Sequence, residues 1–228
     1  MYRLTLFRAM IALLFVSAPA YADLFTFSSR ATFNSAVPGL PVETFESGLV
    51  SPGGITLCPG PLSSAAASTC FPVGGLLPGV TYSASPAGNM VVLGAGVAGN
   101  TSKVLGPNAF ADTFNLTFTG NVTAVGFDVF PGPTAGNIAI SLFSPTDTLL
   151  STFTIFGNVG PNFFGVVSTT SLIGRINIAS QSSLPGELID NLAFGRQVPE
   201  PSSILLVAGG LAIVQLKLLR NRRNRRQG

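Results

Sequence analysis

A chain of 228 residues, 46% hydrophobic and 9% charged, is long enough for one domain of ordinary size with a substantial core. Its net charge of +3 is no nucleic-acid footprint, because between Asp23 and Gln197 four basic residues stand against eight acidic ones, a balance of −4, and no basic patch is left to neutralise phosphates. The chain has no histidine, which removes the usual Ser-His and Cys-His nucleophile pairs and the commonest zinc ligand.

Met1 to Ala22 reads as a secretory signal peptide: Arg3 and Arg8 form a basic region, Ala9 to Val16 an apolar stretch, and Ala20-Tyr21-Ala22 a small-x-small cleavage site that sets the mature start at Asp23. Export bears on the cysteines. Cys58 and Cys70 are the only two, with eleven residues between them, and an oxidising compartment favours their pairing. Closing a loop of that size is worth about 3 kcal/mol in the chain-entropy description.

Phe25 and Phe27 alternate with polar residues in a short first strand, and Ser28 or Ser29 then caps a brief helix through Ala31 and Phe33 that Pro38 and Gly39 stop. Pro41 to Glu46 predicts a strand carrying Glu43 and Glu46. Gly48 to Gly79, rich in Gly, Pro, Ser and Ala, reads as an irregular loop clipped by the disulfide, and Gly94-Ala95-Gly96 as a turn.

From Phe114 onward the pattern is one of strands. Phe114, Leu116 and Phe118 share a face, as do Val125, Phe127 and Val129, and Ile138, Ile140 and Leu142; Thr148 to Phe156, Phe163 to Ser168, Ile173 to Ala179 and Glu187 to Phe194 complete the series. Thr119-Gly120-Asn121, Pro131-Gly132-Pro133 and Ser144 to Asp147 supply the turns. Many short strands with almost no long helical pattern predict an all-β domain over residues 23–197, an antiparallel β-sandwich of jelly-roll type. An outer-membrane barrel is the weaker alternative, since the regular lipid-facing pattern of about ten residues per strand is missing.

Residues 198–228 form a separate block. Val198, Pro199, Glu200 and Pro201 precede an apolar run, Ile204 to Leu219, broken only at Gln215 and Lys217, and then come Arg220, Arg222, Arg223, Arg225 and Arg226. As a helix the run spans roughly 24 Å, enough for a thin or tilted single transmembrane crossing, with Lys217 lifting its ammonium toward the headgroups. The five arginines then stay on the cytoplasmic side and the body of the protein lies outside.

Signature, apolar helix and arginine cluster in this order resemble the C-terminal sorting segment of the PEP-CTERM proteins. The resemblance implies a Gram-negative bacterium that makes extracellular polysaccharide, and an exosortase that recognises Pro199, Glu200 and Pro201 and removes the anchor. The partners it implies are signal peptidase, the exosortase-like enzyme and the inner membrane during sorting, and the destination is the cell surface or the extracellular space. An ordinary tail anchor with a proline-rich stalk gives the same topology without processing. A second, looser resemblance runs from Ala31 to Gly195: Ala31-Thr32-Phe33, Glu43-Thr44-Phe45-Glu46, Val125-Gly126-Phe127-Asp128, Phe163-Phe164-Gly165-Val166 and Ile189 to Gly195 are similar to the β-sandwich domain that often precedes this segment.

Asp190 is the residue of most chemical interest, because strict alternation puts it on the face of Leu188, Leu192 and Phe194, and an inward carboxylate needs a partner. If the strands carrying them are neighbours, Glu43 or Glu46 joins Asp190 around a structural calcium ion, with carbonyls and water completing the oxygen shell. The plainer readings are backbone donors at a turn or a pair with Arg175, while Asp128, opposite its strand's apolar face, reads as solvated. No catalytic residue is assigned and no cofactor is required. A carboxylate pair drawn from Glu43, Glu46, Glu187 and Asp190 is the only route to an enzyme, a glycoside hydrolase, and their spacing does not single one out. The expectation is a noncatalytic surface or matrix protein, with an exopolysaccharide-binding module second; with no tryptophan, and Tyr82 the only tyrosine left after signal removal, the aromatic platform for sugars is thin.

Overall fold

The structure, a computed structural model, describes residues 24–86, 88–109, 111–131, 134–181 and 186–197. The predicted signal peptide, the cleavage site, the Pro-Glu-Pro signature and the predicted membrane helix lie outside the described residues, among which no helix is long and apolar enough to cross a membrane.

The described chain has one short helix, α1 (Arg30–Ala36), and fourteen strands: β1 (Leu24–Phe27), β2 (Val42–Glu43), β3 (Ile55–Cys58), β4 (Leu62–Ser63), β5 (Val80–Ser85), β6 (Met90–Leu93), β7 (Val104–Pro107), β8 (Thr113–Phe118), β9 (Ala124–Phe130), β10 (Gly136–Phe143), β11 (Leu149–Gly157), β12 (Asn162–Ser168), β13 (Arg175–Ser180) and β14 (Leu188–Gly195). They form an eight-stranded sheet, ordered β1-β12-β9-β14-β7-β6-β3 with β2 also beside β14, and a six-stranded sheet, ordered β11-β10-β13-β8-β5-β4. All the pairings are antiparallel. Among the described residues neither sheet closes on itself, which is not the arrangement of the barrel alternative.

Period-two patterning builds the core. Phe114, Leu116, Ile138, Ile140, Leu142, Val125, Phe127 and Val129 are all fully buried, as the alternation in β8, β9 and β10 requires. One core joins both sheets, since Phe127, Phe164 and Ile189 from the larger and Tyr82, Phe114, Ile140 and Ile178 from the smaller belong to the same cluster. Rings cross between them: Phe153 and Phe164 lie 5.7 Å apart, Phe118 and Phe194 5.4 Å. The two sheets pack face to face.

The outer faces differ. That of the six-stranded sheet carries Ser83, Asn115, Asn177, Ser141 and Thr152 in one cross-strand row. That of the eight-stranded sheet is covered at one end by α1, whose Phe33 is fully buried with Val37 against Ala124, Val167 and Ala193. Gly126 and Gly165 make room for the ring, because a Cβ at either would lie 2.8 Å from it. Helix α1 begins after Ser29 as expected, though without a side-chain cap hydrogen bond.

One expectation needs correction. Gly48 to Gly79 is not a shapeless loop: it contains β3 and β4, and the Cys58–Cys70 disulfide, with Cα atoms 5.7 Å apart, ties the end of β3 to the segment after β4. Strand β3 hides in the sequence because it lies at an edge with Ile55 and Leu57 exposed, so its pattern does not mark a buried face. Strands β6 and β7 are buried on both faces and show no alternation to read.

Candidate functional site

Strand β14 is the hub of the larger sheet and changes partners halfway along. On one side it pairs with β9; on the other it meets β7 at Ile189 and then β2 at Leu192 and Ala193. Between the two partners the register with β9 shifts from Asp190 to Ala193, and Asn191 takes φ +51°, a left-handed conformation that asparagine tolerates better than most residues. This bulge corrects the strict alternation expected of the strand. Ile189, Leu192 and Phe194 enter the core between the sheets, and Asp190 turns to the opposite, outer face.

There it is sealed from solvent, at 0% exposure. Its Oδ1 accepts the Asn191 amide at 2.6 Å, and its Oδ2 accepts the Ser102 hydroxyl and, at 3.2 Å, Asn191 Nδ2. The same Nδ2 donates to Asp128 Oδ2 at 2.9 Å. Asp128, paired with Asp190 across β9 and β14, holds Arg30 of α1 at 3.0 Å, and Arg30 also donates to the Asn191 carbonyl at 2.9 Å while its guanidinium lies 4.7 Å over the Phe163 ring. A continuous polar seam, Arg30–Asp128–Asn191–Asp190–Ser102, therefore joins the helix, two strands and the segment before β7. Burial pushes the Asp190 carboxyl up to about 6; the Ser102 and Asn191 donors oppose the rise, and the charges of Asp128 and Glu46 add to it.

The other predicted residues fall elsewhere. Glu43 sits opposite Leu192, on the core face, so the sheet separates it from Asp190 and the three-carboxylate calcium shell of Asp190, Glu43 and Glu46 is not assembled. Its Oε1 accepts the Phe45 amide at 2.8 Å and its Oε2 the Leu77 amide. The first bond holds Phe45 at φ +56°, a strained conformation for so bulky a residue, which directs the ring against Tyr82 and Phe71. Glu46 is exposed, accepts the Lys103 amide at 2.8 Å and is within electrostatic reach of Asp190. Arg175 does not pair with Asp190: it binds Asp147 at 2.6 Å and Asn115 at 3.0 Å and covers the Phe143 ring at 3.8 Å. Nor is Asp128 simply solvated, its side chain being 15% exposed and ion-paired.

Glu187 is buried at 1% exposure and accepts the Ser180 amide through Oε1, and among the described residues Oε2 has no hydrogen-bond partner. Burial lifts its carboxyl to about 7, with the Asp112 charge adding to the rise against the backbone donors. Among the described residues no three Cys, Asp or Glu side chains gather in a group fit to hold a metal ion. Sequence reading missed Arg30, Ser102 and Asn191. Only Asn191 left a trace, as an asparagine in the middle of an apolar strand.

The family describing the PEP-CTERM protein-sorting motif matches residues 197–223. No curated protein matches the chain. Among solved structures, a mutant of the family 29 carbohydrate-binding module CBM29-2 is 17% identical with a TM-score of 0.35, over 62% of this chain and 91% of that one. Another CBM29-2 mutant, complexed with cellulohexaose, is 17% identical with a TM-score of 0.35, over 61% of this chain and 91% of that one. The enzymatically active domain of bacteriophage CBA120 tailspike protein 4 is 19% identical with a TM-score of 0.33, over 51% of this chain and 19% of that one. Likenesses of this size bear on neither ligand nor activity.

Proposed function

We propose that this protein, which carries a PEP-CTERM protein-sorting motif and is thereby an exported protein sorted to the cell surface, serves there as a noncatalytic surface or matrix component. The observation that carries the reading is the motif itself, which starts at residue 197, two residues after the last described strand ends at Gly195. The sandwich is the cargo and the tail is its address. The alternation of consecutive strand groups between the two sheets supports the jelly-roll description. In this reading an exosortase-type enzyme removes the anchor, and the seam around Asp190 fastens the fold.

A carbohydrate-binding role is the second reading, favoured by the outer face of the six-stranded sheet. Its middle cross-strand row consists of neutral donors and acceptors, with Arg175 beside it donating to Asn115 at 3.0 Å: Asn177 Nδ2 donates to Thr113 at 2.9 Å and Asn115 at 2.9 Å, and Ser141 and Thr152 hydroxyls meet at 2.9 Å. Such a surface suits a hydroxyl-rich polymer better than a charged one. Hydrolysis has less support, because the pair on adjacent strands, Asp128 and Asp190, is bridged by Asn191 and Asp190 lies under cover.

The test is incubation of the exported protein with the producer's own exopolysaccharide, following retention on the polymer and release of reducing ends. No new reducing ends are expected. Release that Asp190→Asn abolishes would overturn the noncatalytic reading, whereas retention that Asn177→Ala weakens would move carbohydrate binding to first place.

A further inference from the structure

Open sheet edges present unpaired backbone donors and acceptors, and proteins ordinarily blunt them with charge, proline, bulges or brevity. Most edges here are short: β1 and β3 have four residues each, and β4 has two. Strand β11 is the exception. It is the longest described strand, nine residues from Leu149 to Gly157, it ends the six-stranded sheet with β10 as its neighbour, and its sequence LLSTFTIFG has neither charge nor proline.

Its side chains are also incompletely housed. Phe156 is 61% exposed and Leu149 56%, while Phe153 and Ile155 pack at the rim of the core only partly buried. Asp147, the nearest carboxylate in sequence, is held by Arg175, and two copies of an uncharged strand can approach without like-charge repulsion although the exported domain as a whole is acidic. Four features thus coincide at one edge: length, neutrality, exposed apolar side chains and an unfinished core rim.

We propose that β11 is a self-association edge, pairing antiparallel with β11 of a second copy of this chain about a two-fold axis at Thr154. In that register Phe153 lies opposite the second copy's Ile155, and Thr152 opposite its Phe156. Both sets keep their faces, since the paired positions share parity: the rim residues close over one another and complete the core edge, and Phe156 gains a neighbour on the outer face. The contact is isologous and closes as a dimer. It leaves the outer faces of the two six-stranded sheets continuous, which suits a matrix component but does not depend on that role.

The test has two arms. The described residues up to Arg196 form a compact unit with its own core, so sedimentation of the exported domain reads the association directly. A concentration-dependent dimer is expected, weakened by about tenfold or more in Phe156→Lys with the melting temperature of the dilute monomer unchanged. In the full-length chain exported to an oxidising compartment, Thr154→Cys should give a reductant-sensitive covalent dimer, and Thr117→Cys, on the outer face of central strand β8, should not. A protein that stays monomeric at every concentration overturns the proposal. So does equal cross-linking at both positions, or a dimer that ignores Phe156→Lys and is lost in Ile55→Lys on β3.

Discussion

Glu187 and Asp190 both hold protons more tightly in the folded chain than in the unfolded one, from 4.5 up to about 7 and from 3.8 up to about 6, mainly through burial. For an acid with a raised folded pKa the contribution to stability is complete below the unfolded value and disappears as pH rises through the folded value. Each carboxyl therefore contributes up to about 3 kcal/mol that is present near pH 4 and gone above pH 7. Glu187→Gln keeps the acceptor for the Ser180 amide without the charge, so its melting temperature should exceed the parent's at pH 7.5 and its stability should change less between pH 5 and 7.5. An unchanged pH slope in the variant would remove Glu187 as the source. Calcium against chelator should leave the melting temperature flat, because Glu43 and Asp190 already have protein donors; a rise abolished by Asp190→Ala would place an ion there. That Asp190 needs a partner was legible from an acid in an apolar strand. The partner was not: Ser102 is 88 positions away, and no local pattern encodes so distant a contact.

At the level of elements, Phe33 and two glycines show how a helix is seated on a sheet. Gly126 on β9 and Gly165 on β12 pair across the strands, and a Cβ at Gly126 would stand 2.8 Å from Phe33 and 2.9 Å from Phe163. Gly126→Ala should thus cost about 1–3 kcal/mol by overpacking, measured by denaturant unfolding, and part of the loss should return in a Phe33→Leu background, where the ring is gone. Full additivity of the two changes would mean that the glycine serves the strand and not the helix. The same contrast explains what was legible. Strands β8, β9 and β10 alternate because one face is core, and their positions could be read directly. The role of Gly126 and Gly165 shows only once α1 is seated over them, and the Asp190-Asn191 bulge defeated period two where β14 changes partner.

Across the whole molecule, charge divides where the sorting motif begins. The stretch from Asp23 to Gln197 carries four basic and eight acidic residues, whereas five arginines follow Leu219. Processing at both ends would therefore convert a basic chain, with a calculated pI of about 9.2, into an acidic domain. This gives the sorting reading a physical signature beyond mass. Protein released from the cell should begin at Asp23, lack residues beyond Ile204 by intact-mass measurement, and bind an anion exchanger at neutral pH. Chain retained in the inner membrane should keep the arginine cluster on the cytoplasmic side and stay basic. Released material that still carries Arg220 to Arg226, or that starts at Met1, would count against exosortase processing or the signal peptide respectively. Retention of the whole chain in the membrane, with no acidic form outside, would leave a plain tail anchor as the account of the same residues.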